Sequence, residues 1–109
     1  MHNNPLIITQ EIKDLHTGHI KLIGHLSMQA ETALKEQAEN LGQQNYKTIE
    51  LDFSDLVTIS GAGLKHLEIF LARSKRLGLT ISARGITDEI NAIFKLTYLN
   101  EIMQILEDA

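Results

Sequence analysis

The chain has 109 residues and a hydrophobic fraction of 43%, enough for one domain with a core of its own. It contains no cysteine, which excludes disulfides, thiolate nucleophiles and cysteine-based metal sites. Its formal charge of −4, from 10 Lys and Arg against 14 Asp and Glu, argues against a nucleic-acid partner, because phosphate binding requires a basic surface.

The N-terminal segment has neither the basic region nor the apolar run of a signal peptide. No apolar run is long enough to span a bilayer, so we expect no direct insertion into a membrane. We expect a cytoplasmic protein that forms a single domain over residues 1–109, with residues 1–4 disordered.

Two strands are predicted at the start of the chain. Leu6–Ile12 is rich in β-branched residues, and Pro5 can open this strand because a missing N–H matters least there. His19–Ile23 is the second strand. The short polar connection Lys13–Gly18 predicts that the two strands form an antiparallel hairpin.

A first helix is predicted after the Gly24–Ser27 segment. Ser27 is a suitable N-cap, Glu31 suits the first turns and Gly42 is a suitable stop. The predicted apolar stripe of this helix consists of Ala30, Ala33, Leu34, Ala38 and Leu41.

The centre of the chain reads as a strand, a tight turn and a long helix. Apolar and polar residues alternate over Ile49–Ser54, as in a strand. Ser60–Gly63 is the turn, where two glycines are expected to let the backbone bend sharply. The helix extends to Gly78, and its apolar stripe consists of Leu64, Leu67, Phe70, Leu71 and Leu77. The turn lies at the positive end of the helix dipole, so we expect a functional site there.

Leu79–Ala83 is a further strand, so strand, helix and strand form a parallel, right-handed unit. Thr87 is predicted to cap a third helix with acidic residues in its first turn. The buried face of that helix consists of Ile90, Ile93 and Phe94, with Leu96 as a further candidate. Ile102–Leu106 suits a final strand or a final helix.

These elements predict an α/β fold with a small mixed β-sheet, a leading antiparallel hairpin and helices packed mainly on one face.

Catalytic patterns are incomplete. Ser60 lies on a strand-to-helix turn, but Thr58 and Ala62 stand where a nucleophile elbow requires glycines. His66 is expected on a different side from Ser60, so we interpret Ser60 as a helix cap and His66 as a solvated residue. A hydrolase centred on Ser60 and His66 is the lesser alternative.

Cofactor and metal patterns are incomplete as well. Gly61-Ala62-Gly63 lacks the third glycine of a dinucleotide loop, whose place is taken by His66, so no cofactor is predicted. Asp14, His16 and His19 cluster around the hairpin connection without a fourth ligand, which favours ordinary loop residues over a metal site.

The long helix carries a cluster of cations, Lys65, Arg73, Lys75 and Arg76. Helical spacing favours a solvated helix face for these residues over an anion-binding surface.

The sequence resembles the STAS domain family, named from sulphate transporters and anti-sigma-factor antagonists. Gly24–Ser27 is similar to the family's G-x-L-D segment, and Leu51–Leu56 to its third strand. Val57–Leu64 is similar to the segment that usually ends D-S-S-G-L or D-T-A-G-L. Leu96–Leu99 follows the family pattern with Tyr98 where Gly is common. The resemblance covers nearly the whole chain.

The resemblance implies an anti-anti-sigma factor, which binds an anti-sigma factor that is also an ATP-dependent serine kinase. In such proteins, phosphorylation of the Ser or Thr before the motif's last Gly ends the binding. A gapless match places Gly63 on that Gly, Ala62 on the phosphoacceptor and Ser60 on the usual Asp. A shifted match would make Ser60 the phosphoacceptor, and Thr58 is a further hydroxyl nearby.

Two interpretations follow from Ala62, which cannot be phosphorylated. The chain is either an antagonist without the usual switch, or a regulatory subunit that docks on the ATPase of a lipid-transport ABC transporter. Either way we predict a protein-binding module rather than an enzyme, and a homodimer is compatible with both. The predicted contact residues are Ser60, Gly61, Ala62, Gly63, Leu64, Lys65, Glu68, His25 and Ser27.

Overall fold

The computed structural model describes residues 6–12, 16–42, 46–99 and 103–106. The N-terminal segment 1–4 and Asp14, on which predictions were made, lie outside these ranges. The elements are, in chain order, β1 Leu6–Ile12, β2 Thr17–Leu26, a 3₁₀ helix Met28–Ala30, α1 Glu31–Gly42, β3 Thr48–Ile59, α2 Gly61–Arg76, β4 Thr80–Arg84, α3 Asp88–Thr97 and β5 Gln104–Ile105.

The described strands form one five-stranded sheet in the order β1-β2-β3-β4-β5. β1 pairs antiparallel to β2, with Ile8 opposite Leu22, and the other three pairs are parallel. The predicted hairpin, parallel unit and mixed sheet are therefore confirmed. Each crossover steps one strand along the sheet in the same direction, and crossovers are right-handed, so the three α-helices cover the same face.

The core lies between this face and the helices. Its largest side chains include three buried phenylalanines, Phe53 from β3, Phe70 from α2 and Phe94 from α3. The rings of Phe53 and Phe94 meet edge to face with centroids 5.4 Å apart, a geometry that adds to the hydrophobic gain from burial. One aromatic contact therefore joins the centre of the sheet to the last helix.

β3 is twice interrupted in its pairing with β2. Lys21 lies opposite Asp52 but Ile23 lies opposite Asp55, so β3 holds one extra residue between these pairs. A second extra residue, Val57, follows Leu56. Such β-bulges shift the inward-facing positions of a strand.

The first bulge explains why β3 was predicted too short. Buried apolar positions follow period two through Phe53, and the next one is Leu56. The alternation that predicted the strand covers only Ile49–Ser54, because it breaks where the bulge occurs, while the strand itself continues to Ile59. β2 is also longer than predicted, and runs from Thr17 to Leu26.

Several helix predictions need correction. Ser27 precedes the 3₁₀ helix, and its side chain makes no capping hydrogen bond. Leu77 and Leu96 were assigned to buried stripes, but they are 51% and 82% exposed. Leu77 is the C-cap of α2, so it lies beyond the last turn that faces the sheet. Tyr98 adopts the left-handed conformation (φ 60°) at the C-cap of α3, where glycine is favoured.

Other local predictions hold. α1 ends at Gly42, and the Thr87 side chain accepts a hydrogen bond from Ile90 N. Ala30 and Leu34 are buried, as predicted for the first apolar stripe. The C-terminal segment, open between strand and helix, contributes the two-residue strand β5.

The opposite face of the sheet carries ionisable side chains from β2, β3 and β4. Glu50 lies 2.9 Å from Arg84 Nε and 3.5 Å from His19 Nδ1, and His19 Nε2 lies 3.6 Å from Asp52. Lys21 Nζ lies 2.8 Å from Asp55.

In the described part of the chain, no three His, Asp or Glu residues are arranged to hold a metal ion. His19, once considered as a ligand, instead faces two carboxylates.

Asp52 is the best-defined acid on this face. Partial burial raises its pKa, but two hydrogen bonds from Ser54 and the nearby charges of Lys21 and His19 outweigh burial and hold the pKa below its ordinary value. The Ser54 hydroxyl donates to Asp52 Oδ1 at 2.6 Å, and the Ser54 N–H donates to the same oxygen at 2.9 Å. Ionised Asp52 therefore stabilises the fold above its unfolded pKa of about 3.9, and this stabilisation is lost as pH falls through the folded pKa.

We expect Ser54→Ala to lower the free energy of unfolding at pH 7 by about 1 kcal/mol, because one hydrogen bond to a carboxylate is lost. The difference from wild type should shrink as pH falls below the ordinary aspartate range and Asp52 becomes protonated, because its folded pKa is lowered. Urea unfolding across this pH range measures both effects. Ser27→Ala is the control, since that hydroxyl makes no capping bond. A difference that stays constant with pH would show that the lost bond is not to ionised Asp52.

Candidate protein-binding site

Ser60 joins the end of β3 to the start of α2. It has extended backbone angles, and its hydroxyl oxygen accepts a hydrogen bond from Gly63 N at 3.0 Å. Its carbonyl accepts from Leu64 N at 2.8 Å. Ser60 is therefore the N-cap of α2, as predicted. The residues predicted as a tight turn form the first turn of the helix itself, because α2 begins at Gly61.

The first turn of α2 packs directly against the end of β2. Ser60 N donates to the Leu26 carbonyl at 2.9 Å. A Cβ at Gly63 would lie 2.7 Å from Ser27 N and closer still to the Leu26 carbonyl group. Real Cβ atoms essentially never approach other atoms so closely, so only glycine fits at position 63 without a backbone shift.

We predicted that the two glycines allow a sharp bend of the backbone, and this explanation is wrong. Neither Gly61 nor Gly63 has a positive φ, and both belong to the helix. Glycine is needed at position 63 because a Cβ there would collide with the backbone at the end of β2, whereas a Cβ at Gly61 would meet nothing within 4 Å.

A hydrogen bond links the strand ends beside this turn. His25 Nδ1 lies 2.7 Å from Thr58 Oγ1, and both side chains are exposed. Sequence reasoning missed this pair because it assigned no strand residue beyond Leu56. The β-branched residues Val57, Thr58 and Ile59 were the signal that the strand continues.

Exposed apolar side chains flank the same region. Met28, just after the end of β2, is 69% exposed, and Val57, the second bulged residue of β3, is 62% exposed. Neither was among the predicted contact residues. Val57 follows buried Leu56 and lies on the other side of the strand.

The predicted contact residues differ in accessibility. Ser60, Gly61, Lys65, Glu68 and His25 are exposed. Three others are less accessible: Ala62, Leu64 and Ser27 are half-buried. Gly63 is buried, so it supports the site from below. The N-terminus of α2 and the adjoining ends of β2 and β3 thus form one surface, which we call the α2-start surface.

The structure separates the residues of the alternative hydrolase. The Ser60 hydroxyl is engaged with Gly63 N, and no hydrogen bond joins it to His66 in the part of the chain described. His66 lines a cleft between α1 and α2, and its Nε2 is buried. The expectation that His66 is solvated is therefore wrong. His66 follows Ser60 by six residues and lies on the side of α2 that faces α1.

Comparison with known proteins identifies the family. The sequence model described as "Mlab, STAS domain" matches residues 9–107, which is most of the chain. The chain belongs to the STAS domain family. None of the STAS helices in the described ranges has the length and apolar character needed to cross a bilayer.

Solved structures agree on the fold. SpoIIAA, described as a Bacillus cell fate determinant in its phosphorylated form, superposes with a TM-score of 0.73 at 14% identity, covering 94% of this chain and 92% of that one. An anti-sigma factor antagonist from Mycobacterium paratuberculosis gives 0.72 at 19% identity, covering 95% and 87%.

A membrane transporter contains the same fold. The murine anion transporter Slc26a9 in its inward-facing state gives a TM-score of 0.75 at 13% identity. The match covers 90% of this chain but 17% of the transporter. The STAS fold of this chain therefore occurs both in small antagonist proteins and as one part of a much longer transporter.

The packing at Gly63 gives a stability prediction with an internal control. Gly63→Ala should lower the free energy of unfolding by about 3 kcal/mol, because its Cβ would collide with the backbone at the end of β2. Gly61→Ala lies two residues away in open space and should change stability by less than about 1 kcal/mol. Urea unfolding of both variants tests the difference. Equal effects would show that backbone flexibility, rather than space, selects these glycines.

Proposed function

We propose that this STAS domain is an anti-sigma factor antagonist-like module, which regulates transcription by binding an anti-sigma factor that is also a serine kinase. The observation that carries the proposal is the α2-start surface. It presents exposed Ser60, Gly61 and Lys65 at the start of α2, on a junction fixed by backbone contacts to Leu26. In this proposal the chain acts as a single cytoplasmic domain without a cofactor and without catalysis.

The chemical composition of this surface supports protein binding. Met28 and Val57 offer exposed apolar area, and methionine adapts its shape readily to a partner. Lys65 and Glu68 supply charges of both signs nearby. An apolar centre with a polar rim is the usual arrangement of a protein interface.

Ala62 defines the regulation that we propose. Phosphorylation at this place would add about −1.5 to −2 charges to the first turn of α2. The helix dipole tolerates such charge within the fold, but a closely packed partner would be repelled. Because Ala62 has no hydroxyl, we propose that the chain binds its partner constitutively or is regulated by other means.

A second candidate function is docking on the ATPase of a lipid-transport ABC transporter. Ala62 favours this candidate, since a subunit that controls assembly needs no phosphoacceptor there. The likeness to the murine Slc26a9 transporter supports it at the level of fold. The two candidates share the α2-start surface and differ in the partner.

Ala62→Glu should abolish or strongly reduce partner capture, because it places a charge at the centre of the proposed interface. Ala72→Glu is the matched control, since Ala72 is an exposed alanine near the other end of the same helix. Affinity capture from the native lysate, quantified by mass spectrometry, compares both variants with wild type.

The identity of the captured protein decides between the candidates. An ATP-binding serine kinase supports the antagonist, and a transporter ATPase supports the second function. Equal capture by the Ala62→Glu variant and wild type would refute the α2-start surface for either partner.

Ala62→Ser tests the register of the motif. If Ala62 occupies the phosphoacceptor position, this variant should become a substrate of the captured kinase, whereas wild type should stay unmodified. Phosphopeptide mapping after incubation with ATP and the kinase measures this. Phosphorylation of Ser60 or Thr58 in the wild-type chain would contradict the register and the unswitched interaction.

A further inference from the structure

A cleft between α1 and α2 lies apart from the first turn of α2. Its walls carry Glu31 and Lys35 from α1, and His66 and Arg73 from α2. Its volume is about 60 Å³. A bound water needs roughly 10–15 Å³ of such volume, so the cleft has room for about four to six waters. A group of about five heavy atoms fits this volume.

The charges around this cleft favour an anion. Lys35 from α1 and Arg73 from α2 are both among its lining residues, and Glu31 is the acid among them. The ion pairs of the described residues involve other side chains, so neither cation is neutralised by a partner there. A net positive cleft on a chain with a formal charge of −4 is a local exception to the overall charge.

The wall and floor of the cleft add to its suitability. His66 Nε2 is buried and has no hydrogen-bond partner in the described part of the chain, which is uncommon for a buried polar atom. Leu34 and Phe70 form an apolar floor. Charge interactions above such a floor are screened less than those in open water.

We infer that this cleft binds a phosphate-sized oxyanion, either free phosphate or the phosphate group of a small phosphomonoester. Arg73 offers a planar fork that can donate two hydrogen bonds to one phosphate, and Lys35 adds a second positive charge. His66 adds Nε2 to the wall of the cleft, and this nitrogen can donate to the anion in the tautomer that carries its proton there. Glu31 opposes binding and weakens it. This site is independent of the proposed partner function.

Titration of the full chain with sodium phosphate, followed by ¹⁵N–¹H NMR at ionic strength held constant with sodium chloride, tests the inference. We expect saturable shifts of the amides over residues 31–35 and 66–73. Arg73→Gln should weaken binding roughly tenfold, since a charge-assisted hydrogen-bond pair is lost. Glu31→Gln should tighten it several-fold. Arg76→Gln is the control, because Arg76 is an exposed cation on α2 outside the cleft.

A second titration with phosphoserine identifies the source of the phosphate. Tighter binding of phosphoserine than of phosphate supports a phosphomonoester ligand, and the reverse order supports the free ion. The absence of saturable shifts with both ligands would overturn the inference. Saturable shifts that are equally strong in the Arg73→Gln variant, or that centre on Ser60–Gly63, would also overturn it.

Discussion

The contact between the first turn of α2 and the end of β2 is the constraint on which the site depends. The Leu26 carbonyl accepts a hydrogen bond from Ser60 N, and the Cα of Gly63 lies against the same peptide group. Backbone therefore meets backbone with no side chain between them. This closeness fixes the height and direction of α2 over the sheet, so that Leu67 and Phe70 enter the core further along the helix. Any side chain at position 63 would lift the helix at the end where the site lies.

The hairpin and the parallel unit of the sheet were predictable from the sequence, whereas the bulges of β3 were not. Composition and period-two alternation were sufficient for the hairpin, the parallel unit and the start of β3. They failed at the bulges, because an inserted residue shifts the alternation while the strand continues. Buried Phe53 and Leu56 are three residues apart, a spacing that by itself indicates either the end of a strand or a bulge. The pairing partner on β2 decides between them, and pairing is a property of the fold rather than of the local sequence.

The site shows a related limit. Ser60 was predictable as a cap, because a hydroxyl residue directly before a helical stripe has one common role. The role of Gly63 was not predictable. Glycine can be required because a side chain would not fit or because the backbone has a positive φ, and the sequence does not distinguish these two causes. Gly78 does have the positive φ expected of a helix stop, so the rule itself holds where the chain leaves a helix. The His25–Thr58 bond required the register between β2 and β3, which the bulges had hidden.

The two faces of the sheet separate stability from recognition. One face is covered by the helices and holds the core, while the other carries ion pairs such as Glu50–Arg84. Neither involves the exposed side chains of the α2-start surface. Ser60 and Gly63 support that surface through the helix cap and the backbone contact, while Lys65 is exposed on it. Ser60 is exposed and also caps the helix, so a partner that contacts it would meet a residue that the fold holds in place.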